Sequence, residues 1–467
     1  MRLHALSATA MLAAFRAHEL SPLEAMRDVV SRVTEFEPHI HATYLLDPER
    51  ALRAAAAAEQ RWQRGAPLGP LDGVPLTLKD NIATAGEPMP LGTAAGDILP
   101  ASADAPPAAR LRAAGAICFS KTTMPDYGML SSGLSSLHPL TRNPWDLACN
   151  PGGSSAGAAA AAAAGYGPLH LGTDIGGSVR LPAGWCGIFA LKPSAGRVPI
   201  DPPYIGRVAG PMTRTVADAA LMMASLAAPD VRDFMSMPPQ DVDWQIKPAE
   251  LRGLRIGLLM EAGCGALPDI SVSDAVAAVA RQLEQAGAEI VPLAPFLTQE
   301  MLDGLDRFWR MRMLLELRAL PEGRRARVLP FIDAWAQSAA TLSAEQVFHG
   351  FSQIMAMRKA AVAATQAFDF VVSPTAPITA YAAHLPSPSN DPLNPFPHIG
   401  FTVAFNMSEQ PAATINCGHD GGGLPIGLQI IGRRFDDVGV LRLAMALEIM
   451  LEGQRRAWPE PPASGPR

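Results

Sequence analysis

Asn150-Pro-Gly-Gly-Ser-Ser-Ala-Gly157 is followed by an unbroken alanine run, Ala158–Ala164, and then by Leu171-Gly-Thr-Asp-Ile-Gly-Gly-Ser-Val-Arg180. Two glycine-serine clusters thus flank one small-residue helix. Glycine lets the backbone approach a ligand closely, and successive N–H groups in the turn Ile175-Gly176-Gly177-Ser178 can face inward as a nest. Such a nest stabilises an oxyanion, and losing one donor costs about 2.7–4 kcal/mol of transition-state stabilisation in a precedent enzyme. A serine at its end could attack the carbonyl whose oxygen the nest holds. The same residues also fit a tight turn with a capping serine.

Outward from this stretch, strands and helices alternate. Downstream, Arg255–Met260, a helix over Ser273–Gln285, and Ala288–Leu293 read as a β-α-β unit. Upstream, the first sixty residues read as helices, and Ser21-Pro22-Leu23-Glu24 is a capping box with proline at the first helical position. Short strands are expected at 74–78, 116–120, 188–191, 198–200, 368–373 and 427–431. Helices are expected at 108–114, 215–227, through 299–368 (with a second capping box at Ser343-Ala-Glu-Gln346) and at 438–451. Residues 397–406 read as loop, and Trp458–Arg467 as an unstructured proline-rich tail. With no clean linker and no internal repeat, the fold class is α/β in one large domain, residues 1–457.

Composition narrows the function. Hydrophobic residues make up 48% of the 467 positions, enough for a sizeable core. A net charge of −6 argues against a nucleic-acid partner. Cys118, Cys149, Cys186, Cys264 and Cys417 are scattered with no C-x-x-C, so neither a zinc site nor a disulfide framework is indicated. The longest uncharged stretch, 156–171, is rich in alanine and glycine and contains Pro168, which does not suit a membrane span. A soluble, cytoplasmic protein is expected, with no metal and no organic cofactor.

Gly153-Ser-Ser-Ala-Gly157 satisfies the G-x-S-x-G nucleophile elbow with Ser155 at its centre. That motif needs a preceding strand, and Trp145–Pro151 reads as loop. Only Lys79, Lys121, Lys192, Lys247 and Lys359 are available as a catalytic lysine. Lys79 and Lys121 each close an apolar strand, where desolvation can lower an amine's pKa by several units. Spacing does not choose between them, and each also suits a solvated strand end.

Taken together, Gly69-Pro-Leu-Asp-Gly-Val-Pro-Leu-Thr-Leu-Lys79-Asp80, Gly152–Gly157, Leu171–Arg180, Gly187 through Lys192-Pro193, and Gly210-Pro-Met212 resemble the amidase signature family of Ser-Ser-Lys hydrolases. Ser373-Pro-Thr-Ala-Pro377, Phe405-Asn406 and Gly423–Gln429 continue the match in family order; it is densest over about 66–215. The resemblance implies a mixed central β-sheet flanked by helices. It implies Ser178 as nucleophile, Ser154 as a proton relay held by a cis peptide, Lys79 as base, and the N–H groups of Ile175, Gly176, Gly177 and Ser178 as the oxyanion hole. Ser155, Thr173, Asp174 and Arg180 would support this set, with Asp174 and Arg180 as a structural ion pair. Tyr127, Met129 and Ser131 would lie near the substrate. One departure is Ala156, where many members have glycine; its methyl group narrows the space beside Ser154.

The implied activity is hydrolysis of a small-molecule carboxylic amide, with a second copy in a homodimer as the one macromolecular partner and no membrane. The alternatives are the glutaminase component of a tRNA-dependent amidotransferase and a non-catalytic binding protein on the same fold. The segment Gln353–Phe368 is largely apolar, whereas that component is typically basic there, which favours the stand-alone hydrolase. Met129, Phe308, Trp309 and Met313 suggest an apolar acyl or aryl pocket, although helical core packing accounts for the same residues.

Overall fold

The computed structural model describes residues 2–462. Its centre is one mixed sheet. The strands are β1 (Thr43–Tyr44), β2 (Pro75–Lys79), β3 (Ile117–Thr122), β4 (Leu169–Asp174), β5 (Phe189–Lys192) and β6 (Val208–Thr213). They continue with β7 (Arg255–Leu258), β8 (Glu289–Pro292), β9 (Phe370–Pro374), β10 (Ala412–His419) and β11 (Pro425–Gly432). Their spatial order is β1-β3-β2-β4-β6-β5-β10-β11-β9-β7-β8. The β2–β3, β2–β4, β7–β8 and β7–β9 pairs are parallel and the rest antiparallel. The α/β class and the mixed, helix-flanked sheet are therefore as expected.

Local chemistry marks the helices well. Ser21 and Ser343 each close a full capping box, at Pro22–Ile40 and Ala344–Thr365. The alanine helix, Ala156–Ala164, is buried on every side. Ala160, Ala161 and Ala164 pack against Met26, Val29 and Phe36, while Ala158, Ala159, Ala162 and Ala163 pack against Val179, Ala183 and Ile188. Only small side chains let a helix be shared so closely by two neighbours. A Cβ on Gly157 would stand 2.1 Å from the Ala42 carbonyl oxygen. This helix therefore fixes the distance between the two glycine-serine clusters.

The structure departs from the sequence reading in five places, the first being the short strand β1, which pairs with β3 inside the sixty residues read as helices. Residues 198–200 form no strand, because the Ile200 N–H donates to Asp233 Oδ2 (2.9 Å) rather than to a ladder. β4, β6 and β10 lie inside the sheet and are buried almost throughout, so none shows the alternation that marks a half-exposed strand. Residues 397–407 are not loop but a 3-10 turn (Pro397–Ile399) leading into the helix Gly400–Met407. The tail begins with ordered contacts. Trp458 lies under the Arg214 guanidinium (4.6 Å), and Arg32 donates to the Pro459 carbonyl and to Glu460. Residues 463–467 lie outside the described residues. Among the described residues no helix is long and apolar enough to cross a membrane.

Candidate active site

β2 delivers Lys79 to the end of the sheet, where the side chain is completely buried and, among the described residues, has no ion-pair partner. Its Nζ donates to Ser154 Oγ (2.8 Å) and to Thr173 Oγ1 (3.0 Å). Asn81 Nδ2 also donates to Thr173 Oγ1 (3.0 Å). Burial pushes the Lys79 amine down to about 7, the nearby Arg207 charge adds to the fall, and Asp174 and Asp80 oppose it. An amine in that range can serve as a base near neutral pH.

Lys121 is excluded by register. Across the parallel β2–β3 pair, Leu78 faces Lys121 and Lys79 faces Thr122, so the two lysines project to opposite sides of the sheet. Lys121 Nζ donates to the Ile82 carbonyl and to Thr84 Oγ1, away from both serine clusters.

Ser154 follows a cis Gly153–Ser154 peptide and is 3% exposed. A Cβ on Gly128 would come within 3.3 Å of Ser154 Oγ, so the loop after β3 passes directly over this hydroxyl. Ser155 is not at an elbow, since the chain enters it from a loop and not from a strand. It acts as a brace: its Oγ donates to the Thr173 carbonyl (3.1 Å), and its N–H donates to the Ser178 carbonyl (3.1 Å). The strand end and the second glycine-serine turn are thereby tied to the first.

Ser178, 9% exposed, opens with Ser154 onto a cavity of about 300 Å³ walled also by Asn81, Thr173, Arg207 and Arg312. A narrow branch of about 30 Å³ leaves Ser178 between Met129, Leu130, Trp309, Phe396 and Ile399. Tyr127 lines the cavity, Ser131 the branch, and Met129 both. Of the four residues expected to make an apolar pocket, Met129 and Trp309 do so. Phe308 packs instead on Phe351 (5.4 Å), and Met313 is core.

The turn Ile175–Ser178 differs from the expected nest in one respect. The Gly177 N–H is already committed to Asp174 Oδ1 (2.8 Å), and the Val179 N–H to Asp174 Oδ2 (3.1 Å). Among the described residues, the N–H groups of Ile175, Gly176 and Ser178 have no such partner. Thr402 Oγ1 donates to the Gly176 carbonyl (2.6 Å) and steadies the turn from the other side.

Beneath the turn, Arg180 meets Asp174 through Nε and Nη2 (both 3.0 Å). It also donates to the Thr402 carbonyl (2.9 Å), Gln429 Oε1 (2.6 Å) and Asn406 Oδ1 (2.5 Å). Asn406 Nδ2 returns to Asp174 Oδ1 (2.8 Å), and Gln429 Nε2 reaches Ser373 Oγ (3.0 Å). Burial alone would raise the Asp174 carboxyl, but the Arg180 guanidinium and the Asn406 amide hold it well below the usual carboxylate range. The C-terminal motifs thus converge on the floor of this site. Three residues here escape the sequence reading: Asn81, Thr402 and Arg207. Arg207 carries no pattern that separates it from the other arginines of the chain.

The chain matches the Amidase family over residues 24–441. It is 34% identical to a Glutamyl-tRNA(Gln) amidotransferase subunit from Chloroflexus aurantiacus, over 96% of this chain and 97% of that one. Its fold resembles a bacterial aryl acylamidase of the amidase signature family, with a TM-score of 0.88, 28% identity, and coverage of 96% of this chain and 97% of that one. It also resembles the native peptide amidase of Stenotrophomonas maltophilia, with a TM-score of 0.84, 26% identity, and 98% and 99% coverage. A match this long, joined to a buried lysine held on a serine that shares its cavity with a second serine, makes the chain a member of the amidase signature family of amide hydrolases.

Proposed function

We propose that the protein is a stand-alone hydrolase of small-molecule carboxylic amides, working through an acyl-enzyme on Ser178. Neutral Lys79 takes the proton of Ser154, which takes that of Ser178 as its Oγ attacks the carbonyl carbon. The oxyanion forms against the N–H groups of Ile175, Gly176 and Ser178, with Gly177 serving the turn through Asp174. The relay reverses to protonate the departing amine, and water then releases the acid. Ser155, Thr173, Asp174 and Arg180 hold these groups in place.

The observation that carries the stand-alone reading is the narrow branch. It touches Ser178 but not Ser154, so it suits the acyl group, while the amine leaves beside the relay serine. Apart from Ser131 and Arg312, the latter shared with the larger cavity, its side-chain walls beyond Ser178 are apolar, and among the described residues no carboxylate lines it to receive the ammonium of a glutaminyl group. The likeness to the Chloroflexus amidotransferase protein favours the second reading, a partner-bound glutaminase. Release of amine or ammonia across a panel of aliphatic, aryl and amino-acid amides tests the choice. The isolated chain is expected to cleave amides with short apolar acyl groups; glutamine hydrolysis that requires a second chain would favour the other reading.

Two expected results follow from the same geometry. Lys79 must be neutral to act, so kcat/KM should rise with pH through about 7 and fall below it as the amine is protonated. Arg207→Gln removes a neighbouring positive charge, raises the Lys79 pKa, and should move that limb to higher pH; a pH–rate profile reads both. Trp309→Ala opens the branch beside Gly176, whose Cβ would lie 3.2 Å from the Trp309 ring. Turnover should shift toward bulkier acyl groups relative to acetyl, at a stability cost of about 3–5 kcal/mol measured by denaturation.

A further inference from the structure

The catalytic cavity contains a cation that the hydrolysis itself does not consume. Arg207 stands just before β6 and lines the cavity together with Ser154 and Ser178. Its Nη1 donates to the Pro202 carbonyl (3.2 Å), and among the described residues no carboxylate lies within 4.0 Å of the guanidinium. Asp201 lines the same cavity and acts on it only at longer range. The other charged walls are committed. Arg312 lies over the Tyr204 ring (4.2 Å) and donates to Glu316 Oε1 (3.3 Å), and Asp174 belongs to Arg180. Arg207 is partly buried, and most of its five N–H donors are left for a ligand.

Arg207 also has a side. It is absent from the narrow branch that suits the acyl group and present in the cavity that holds Ser154. A planar guanidinium with free donors is suited to bidentate recognition of a carboxylate. Resting on the amide-hydrolase reading above, we propose that Arg207 selects amides whose departing amine carries a carboxylate, that is, N-acylated amino acids or aminobenzoates with a small apolar acyl group. The chemistry is the same hydrolysis. The Ser178 Oγ–acyl bond forms as the C–N bond breaks, the amine nitrogen receives its proton through Ser154, and water releases the acid and regenerates the serine.

The test compares 4-acetamidobenzoate with acetanilide, and the corresponding phenylacetyl pair, by chromatographic measurement of amine release. Wild type should favour the carboxylate member by about 10- to 100-fold in kcat/KM, the range expected for one charge-assisted pair. In Arg207→Gln the ratio should collapse to within about threefold of unity, with Arg207→Lys intermediate. Because the ratio is internal to each variant, a general loss of activity cancels from it. A wild-type ratio at or below one, or a ratio that survives in Arg207→Gln, would overturn the proposal. A fluorophosphonate probe separates the two levels of failure. Protein labelled at Ser178 that cleaves both members equally, or neither, refutes only the carboxylate preference, whereas folded protein that is neither labelled nor active refutes the hydrolase reading and this inference with it.

Discussion

Ser178→Ala and Lys79→Met are each expected to lower kcat by about 10⁴-fold or more, because the proposed nucleophile, relay and base would act as one unit. Ser178 makes no side-chain hydrogen bond among the described residues, so its alanine variant should unfold like wild type. Lys79→Met replaces a buried amine by an apolar chain of similar length. It removes a desolvated cation-forming group at the expense of two hydroxyl contacts, and its net effect on stability should be small. Lys121→Met is the control. It strips the Ile82 carbonyl and Thr84 of a buried donor and should cost stability, yet the folded fraction should turn over normally. Activity corrected for folded fraction, with circular dichroism on each variant, separates the two lysines.

The second large effect belongs to the floor. Asp174→Asn leaves Arg180, completely buried, facing an amide in place of a carboxylate. Breaking one side of a buried ion pair costs about 3–5 kcal/mol. The Gly177 and Val179 N–H groups lose a charged acceptor at the same time, so the turn that would hold the oxyanion loosens and kcat should fall as well. Arg180→Met should destabilise comparably by leaving the carboxylate unpaired. Because the two act on one network, the double variant should be clearly less destabilised than the sum of the singles. Denaturant unfolding of the four proteins measures this; simple additivity would show that Asp174 and Arg180 do not stabilise as a pair.

The legible parts of this chain are those whose chemistry is local. A capping box needs four residues, and Ser21 and Ser343 announce their helices for that reason. The β-α-β unit at β7 and β8 shows a periodic helix between two apolar runs, and it forms as expected. The strands β4, β6 and β10 are harder to read because each takes its character from neighbours on both faces, not from its own alternation. The helix Gly400–Met407 is hidden for the same reason: all of its residues are buried, so no polar face marks its period.

The site divides in the same way. The two serines stand in glycine-rich stretches that can be read directly. The choice of Lys79 over Lys121 is one step of strand register, which no spacing within either strand reveals. The commitment of Gly177 to Asp174 depends on how a turn closes three residues back. Asn406 and Gln429 stand out as motif positions, but their task emerges only when Arg180 reaches them across more than two hundred residues of chain. Arg207 is the clearest case of a residue defined by its surroundings, a charge among many in the sequence and one of few in the cavity.

In the proposed reaction Ser178 carries the acyl group. The most direct test of that role is reaction of the native protein with an alkyl fluorophosphonate, followed by peptide mapping. Stoichiometric modification of Ser178 is expected, lost in Ser178→Ala and strongly slowed in Lys79→Met. Modification at Ser154 or Ser155 instead, or a folded protein that cleaves amides while Ser178 stays unmodified, would contradict it.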